Sequence, residues 1–416
     1  MELYNRWQLD AVKQALKQRR VLILAGARQC GKTTLAKYLA SSDTIYRTLD
    51  STQLLEAALS DPEGFISHDN ELMIIDEIQR APMLLQAIKK NVDENQKYGR
   101  FLLTGSANIQ SLPGVTESLA GRVTKIRLRP LACGEIYGKQ PDFLEKAFDG
   151  QFDTTFPHPS DSFSKYDKDA YLKLAFRGGY PELMRIEENN RKRWHKDYVD
   201  ALIDRDLQDI VNIRRKDSMH RLLNVLASWS TKYMNIQSIG TDLSIQRVTI
   251  ETYINALETL YLIDRVKSWV NTDYEGVRKK DKLLMTDTGS MTSILRWRHD
   301  QVRLDGERNG KLIETFVYNQ LISVIEAQSE QYEIYHYRDA YDREVDFLVE
   351  NEQGDLLGIE VKAGTAVTRD SFKHLKWFND NLAKQRKFKG IVFYTGEEVL
   401  SFGKSLWAIP INSLWA

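Results

Sequence analysis

Gly26-Ala27-Arg28-Gln29-Cys30-Gly31-Lys32-Thr33 is the stretch on which the fold turns. It follows an apolar run, Val21–Ala25, and opens a helical pattern, Thr34–Ala40. The eight residues fit G-x-x-x-x-G-K-[ST] in full, in the strand–turn–helix setting that this pattern requires. The glycines let backbone N–H groups turn inward around phosphate oxygens, and a helix N-terminus adds partial positive charge. Gly26, Ala27, Arg28, Gln29, Cys30, Gly31, Lys32, Thr33 and Thr34 are therefore expected to line a nucleotide. Lys32 would reach the β- and γ-phosphates, and the Thr33 hydroxyl would ligate magnesium. ATP and Mg2+ are the expected cofactors. Cys30 reads as a permissive loop position, with redox sensitivity as the alternative.

Working outward, Leu72-Met73-Ile74-Ile75-Asp76-Glu77 is an apolar strand that ends in two carboxylates. After a phosphate loop, Asp76 suits the magnesium shell and Glu77 suits polarising the attacking water. Phe101-Leu102-Leu103-Thr104-Gly105-Ser106 is a further strand, whose Thr104 or Ser106 would sense the γ-phosphate; a capped strand end is the plain alternative for either. Arg122, at the end of Ser118-Leu119-Ala120-Gly121-Arg122, is read as a residue that reaches a neighbouring subunit's nucleotide, against a surface ion pair. Over residues 1–135 the runs Val21–Ala25, Thr44–Leu49, Leu72–Ile75, Arg100–Thr104 and Val123–Leu128 alternate with helical stretches such as Leu84–Val92. Such alternation predicts a parallel sheet covered by helices.

Composition sets the outer limits. A chain of 416 residues has room for roughly three domains. Lys+Arg and Asp+Glu number 58 each, so any nucleic-acid contact must come from local patches and not from a global field. Two cysteines, Cys30 and Cys133, cannot build a disulfide framework. The N-terminus lacks the apolar core of a signal peptide, and no apolar stretch approaches the ~20 residues that span a bilayer. A cytoplasmic location without a membrane partner is expected.

Beyond residue 135 the pattern changes. Residues 136–170 mix Asp, Phe, Pro, Ser and Lys without period, and Pro157-His158-Pro159-Ser160 breaks any element, so a loop or insertion is expected. Residues 170–216 return to helix around a Gly178-Gly179-Tyr180-Pro181 breaker. Met219–Trp229, Ile236–Leu243 and a stretch from Ser244, its N-cap, to Leu260 read as helices, with Tyr261–Val270 as a hairpin or wing. That order suits a winged helix, with Gln246, Arg247, Thr249 and Thr252 near the start of a recognition helix; the same fold also docks proteins. The basic runs Arg191–Arg193, Arg214–Lys216 and Arg278–Lys280 read as solvated faces.

Further on, a helix Lys311–Ile325 precedes strands Tyr332–Arg338, Glu344–Val349 and Leu356–Val361, a helix near Ser371–Leu382 and a strand Gly390–Tyr394. Asp346 falls on one strand, and Glu360 and Lys362 share a face of the next by period two. This set fits the PD-(D/E)XK nuclease pattern, with Val345 in place of its proline. Asp346 and Glu360 would hold magnesium, Glu314 would add a ligand through water, and Lys362 would orient the water or stabilise charge at phosphorus. A structural ion pair between these groups is the alternative.

Gly26–Thr33, Met73–Glu77, Leu103–Ser106, Ser118–Val123 and Gly178–Glu182 together resemble AAA+ ATPases with a C-terminal DUF4143 region, over nearly the whole chain. Those proteins are similar to STAND-like archaeal ATPases. The resemblance implies an α/β fold with a strand between the phosphate-loop strand and the Asp-Glu strand, a helical lid, a winged helix and a nuclease-like domain. The domains expected are 1–135 for the ATPase core, 136–216 for the lid and insertion, 217–275 for the winged helix and 276–416 for the nuclease-like domain. The function expected is an ATP-hydrolysing machine that acts on DNA, assembled as a homo-oligomeric ring, with a metal-dependent nuclease site. The alternative is a nucleotide-switched scaffold or signalling ATPase whose C-terminal domains bind protein. A protein-remodelling motor would need an aromatic pore loop, and none is evident.

Overall fold

The computed structural model describes residues 4–106, 121–150, 152, 166–206, 216–243, 245–270 and 280–415. Ser118–Ala120, Pro157–Ser160, Arg214-Arg215, Ser244 and Arg278-Lys279, all singled out above, lie outside the described residues. The chain divides into two compact units. One comprises Met1–Leu131, Tyr180–Met184 and Ala256–Leu262; the other comprises Ala132–Gly179, Arg185–Asn255 and Ile263–Ala416. No described helix is long and apolar enough to cross a membrane.

The first unit is built on the strands β1 (Val21–Ala25), β2 (Thr44–Thr48), β3 (Leu72–Asp76), β4 (Phe101–Gly105) and β5 (Val123–Arg127). Their order is β2-β3-β4-β1-β5, and every pairing is parallel. The expected strand between the phosphate-loop strand and the Asp-Glu strand is β4. The three inner strands are buried along their whole length, whereas the outer two are only half-buried. Continuous apolar runs are what a parallel sheet covered on both faces requires. Val12, Leu22, Leu24, Leu35, Ile74, Leu102 and Leu128 form one of its cores.

The second unit carries an eight-stranded sheet. Its members are β6 (Ile263–Ser268), β7 (Lys282–Met285), β8 (Glu333–Arg338), β9 (Glu344–Glu350), β10 (Leu356–Lys362), β11 (Phe388–Tyr394), β12 (Leu400–Ser401) and β13 (Leu406–Pro410). The order is β12-β13-β11-β10-β9-β8-β6-β7. The long helix Gly306–Ala327 buries Leu312, Ile313, Phe316, Val317, Leu321 and Val324 in this unit.

Several expectations need correction. Residues 136–170 are not all loop, because Phe143–Asp149 is a helix that buries Phe143, Leu144 and Ala147. Those positions recur at i, i+1 and i+4, which is too short a run to stand out from its polar flanks. The hairpin expected within Tyr261–Val270 is a single strand, β6, which pairs antiparallel with β7 from beyond residue 280. At its other end β6 runs parallel to β8, with Lys267 opposite Tyr335. Strands β12 and β13 had no counterpart in the sequence reading. The helices Lys216–Ser228, Ile236–Leu243 and Arg247–Thr259 stand close to their expected positions. Leu222, Leu223 and Leu226 are buried along one face of the first.

The Gly178-Gly179 breaker has a backbone cause. Gly178 caps helix Lys168–Arg177 at φ 74°, ψ −174°, a region that essentially only glycine enters. A Cβ there would sit 2.7 Å from Asp287 Oδ2. Asp287 Oδ2 in turn accepts from Gly179 N at 2.8 Å. Gly178→Ala is therefore expected to cost about 1–3 kcal/mol in urea unfolding. Gly310→Ala, where a Cβ meets nothing within 4 Å, should instead stabilise the helix Gly306–Ala327 by about 0.5–1 kcal/mol. Equal destabilisation by both would contradict this backbone account.

Candidate functional site

The parallel register brings the chemistry to one edge. Ala25 at the end of β1 lies opposite Gly105 at the end of β4, and Ile75 of β3 lies opposite Leu103 of β4. The phosphate loop, Asp76–Glu77 and Thr104–Ser106 thus leave the carboxyl ends of three adjacent strands, where open α/β sheets bind their ligands.

The loop itself wraps the lysine. Lys32 is buried, and its Nζ donates to the carbonyls of Gly26 at 3.0 Å and Ala27 at 2.7 Å. Gly26 has φ 148°, and any Cβ there would strike the Leu128 carbonyl, so only glycine fits between β1 and the chain leaving β5. Gln29 is exposed and left-handed at φ 59°. Arg28 is half-buried, Cys30 is buried, and Thr34 is exposed on the first turn of the following helix.

Asp76 is the centre of the polar cluster. It is buried, and its carboxylate accepts from Thr33 Oγ1 at 3.1 Å, from Tyr46 OH at 2.7 Å and from Thr104 Oγ1. The Asp76 carboxylate and burial together push the Tyr46 phenol well above its ordinary range, burial contributing most, so Tyr46 stays a donor. A hydroxyl and a carboxylate side by side are the hard oxygen donors that magnesium prefers, so Thr33 and Asp76 fit that ion.

Glu77 leaves the strand at φ 60°, ψ 46°, a left-handed conformation that costs a non-glycine residue about 1–3 kcal/mol. That turn sends its carboxylate to Gln79 Nε2 and to Ser106 Oγ, the latter at 3.3 Å. Gln79 Nε2 also donates to Ser106 Oγ at 3.0 Å, and Glu77 N donates to Thr104 Oγ1 at 3.3 Å. Thr104 and Ser106 therefore each engage one acid of the pair.

Three contributors were missed by the sequence reading: Tyr46, Gln79 and Arg6. Arg6 is buried, with NH1 donating to the Cys30 carbonyl at 2.7 Å and NH2 to the Arg129 carbonyl at 2.6 Å. Gln79 was discoverable as the polar group two residues beyond the acids. Arg6 stands before the first helix and carries no local signal.

Arg122 is not part of this cluster. It precedes β5, and Val123 pairs with Val21 at the start of β1. Arg122 thus lies at the strand end opposite its own phosphate loop, roughly 13 Å away at the usual rise per residue. Its guanidinium pairs with Asp93 of the same unit, and both side chains are about one third exposed, at 32% and 38%.

The C-terminal residues also come together, with an addition. Lys362 Nζ donates to Glu360 Oε2 at 2.8 Å, which confirms their shared face. Asp346 sits at an irregularity of the β8–β9 pairing, where the register shifts between Tyr335 and Tyr337. Bulges of this kind re-aim a side chain. Asp346 Oδ2 accepts from Val361 N at 2.9 Å. The addition is Lys282 of β7, fully buried. Its Nζ lies 2.6 Å from Glu314, 3.3 Å from Asp346 Oδ1 and 3.5 Å from Glu344. The carboxyls of Glu314 and Glu360 are both pushed up, by burial first. Glu360 Oε1 has no hydrogen-bond partner among the described residues. Among those residues no group of three or more His, Cys, Asp or Glu is placed to hold a metal ion. The carboxylates expected to hold magnesium thus meet ammonium groups instead: Glu314 and Asp346 face Lys282, and Glu360 faces Lys362. Period two carried a signal: Lys282 shares a strand face with Leu284, at the head of the buried run Leu283–Met285.

Three sequence-family models match the chain. Residues 18–137 match an AAA domain, residues 168–301 a domain of unknown function (DUF8612), and residues 309–414 a domain of unknown function (DUF4143). The chain thus carries an AAA domain and a DUF4143 region. An uncharacterized protein of Mycobacterium tuberculosis, Rv2008c, is 25% identical over 408 residues, covering 97% of this chain and 82% of the relative. The uncharacterized protein MJ1544 of Methanocaldococcus jannaschii is 22% identical over 356 residues, covering 82% and 74%. Among solved structures, RuvB of Thermotoga maritima aligns over 62% of this chain and 87% of its own, at 18% identity and a TM-score of 0.27. A likeness that low carries no functional weight.

An AAA domain implies a nucleotide and a divalent metal at the phosphate loop. Arg6 holds that loop through the Cys30 and Arg129 carbonyls, so Arg6→Ala should weaken ATP binding on the order of tenfold, about 1.4 kcal/mol. Turnover at saturating ATP should change little. Loss of turnover with unchanged affinity, in a steady-state titration, would contradict this role.

Proposed function

We propose that the chain binds and hydrolyses ATP with magnesium, and that hydrolysis drives action on DNA. The observation that carries the ATPase reading is the convergence of Lys32, Thr33, Asp76 and Glu77 beyond the carboxyl ends of β1 and β3. Lys32 exchanges two loop carbonyls for the β- and γ-phosphates. Thr33 and Asp76 would hold magnesium, which would supply neutralising charge to the phosphates. Glu77 orients a water for in-line attack on the γ-phosphorus and draws off its proton as the bond to the ADP oxygen breaks. Gln79 and Ser106 hold the Glu77 carboxylate and fix its direction.

Lys32→Ala should abolish tight ATP binding, because the phosphate cation is gone. Glu77→Gln should bind ATP and stop turnover, because only activation of the water is lost. Full turnover in the Glu77→Gln protein, measured by phosphate release, overturns the assignment.

Arg122 is proposed to complete the site of a neighbouring subunit in a homo-oligomer. Its place at the far strand end supports this, since its own nucleotide is out of reach. Arginine fingers contribute on the order of 10³–10⁵ in rate. Mixing Arg122→Ala with Lys32→Ala subunits should therefore restore part of the lost activity. A mixture as inactive as its parts, with turnover per subunit independent of concentration, contradicts the assignment.

Action on DNA rests on the helix Arg247–Thr259, taken as the recognition helix of a winged helix whose β6–β7 pair is the wing. Gln246 and Arg247 are exposed at its start. Specific support also exists for the scaffold reading: Arg247 is paired with Glu251 at 2.8 Å, Thr252 bonds to the Val248 carbonyl, and Val248 is 72% exposed. Duplex binding that weakens steeply with salt favours DNA, since phosphate contacts release counterions. Absence of binding at low salt favours protein docking.

A further inference from the structure

The buried amine of Lys282 is unusual in its company. It has no solvent exposure, and it meets three carboxylates from two separate elements: Glu314 on the helix Gly306–Ala327, and Glu344 and Asp346 at the start of β9. The Asp346 carbonyl lies 3.4 Å from the same Nζ, and the Phe347 ring centroid 5.1 Å. Oxygens arranged around one point from a helix, a strand and a backbone carbonyl are the surroundings of a bound cation, and here the cation is a side chain.

Both oxygens of Asp346 are committed. Oδ1 faces Lys282, and Oδ2 takes the Val361 N–H. Glu360 Oε2 takes Lys362. A magnesium ion would need oxygens at about 2.0–2.1 Å in near-octahedral array. Placed on Asp346 Oδ1, it would stand beside a buried ammonium 3.3 Å from the same oxygen and be repelled by it. A buried charge is retained only when paired, and Lys282 supplies that pairing permanently.

We propose that the Lys282 ammonium is a resident cation that takes the place of a divalent metal in this acidic cluster. The second unit then holds its sheet and its acids together without metal, and it is not a metal-dependent phosphodiesterase. Removing the amine would free Glu314, Asp346 Oδ1 and the open Glu360 Oε1 for a divalent ion.

Manganese alone is the probe, titrated into the full chain without nucleotide. Its bound stoichiometry is read by electron paramagnetic resonance, and its effect on the unfolding midpoint by thermal melting. Wild type and the isosteric Glu360→Gln chain are expected to bind the same number of ions, any binding at Thr33 and Asp76 being common to both. Lys282→Ala is expected to melt lower and to recover with manganese, gaining one bound ion that is lost again in Lys282→Ala/Glu360→Gln. One ion more in wild type than in Glu360→Gln overturns the proposal. So does a Lys282→Ala chain that manganese neither binds to nor stabilises. The wild-type comparison decides even where Lys282→Ala fails to fold.

Discussion

The first unit depends on a single buried carboxylate. Asp76 ends one of the three inner, fully buried strands of its sheet, where an isolated negative charge would be expensive. Three hydroxyl groups offset that cost, from Thr33 on the phosphate-loop helix, Tyr46 on β2 and Thr104 on β4. The same bonds tie the loop to β2, β3 and β4 and so fix the distance between the phosphate cradle and the acids. Glu77 follows in a strained turn, and its carboxylate is held by Gln79 and Ser106. The cluster is preorganised: the groups that would meet a metal and a water are already oriented by the sheet.

The second unit solves the same problem another way. Its acids are also drawn into the interior of a sheet, at a bulge and at a strand end. There the offset comes from two lysines, one buried on β7 and one partly exposed on β10. Hydroxyl donors leave a carboxylate free to accept a metal, because they give way to it without charge repulsion. An ammonium group does not. The two acidic clusters of this chain therefore differ in kind, although each reads in sequence as acids at a strand end.

Much of the first unit was legible, because its signals are local. Val21–Ala25, the loop and Asp76–Glu77 each carry their own period and punctuation, and a parallel sheet leaves its inner strands as unbroken apolar runs. What escaped was non-local. Tyr46 meets Asp76 from another strand, and Arg6 meets Cys30 across the loop. In the second unit, Asp346, Glu360 and Lys362 were found by alternation, whereas Lys282 was hidden in a run of surface-type basic residues. The two-residue strand β12 is too short to show alternation. The strand β6 was found, but its partner lay beyond residue 280, where no turn signal pointed back to it.

The most direct test of the central claim, that Thr33 and Asp76 form a magnesium–nucleotide site at the end of this sheet, is ATP affinity measured calorimetrically with magnesium and with a chelator. The account predicts at least tenfold tighter binding with magnesium, and loss of that difference in Asp76→Asn. Equal affinity in both conditions, in a folded chain, would contradict it.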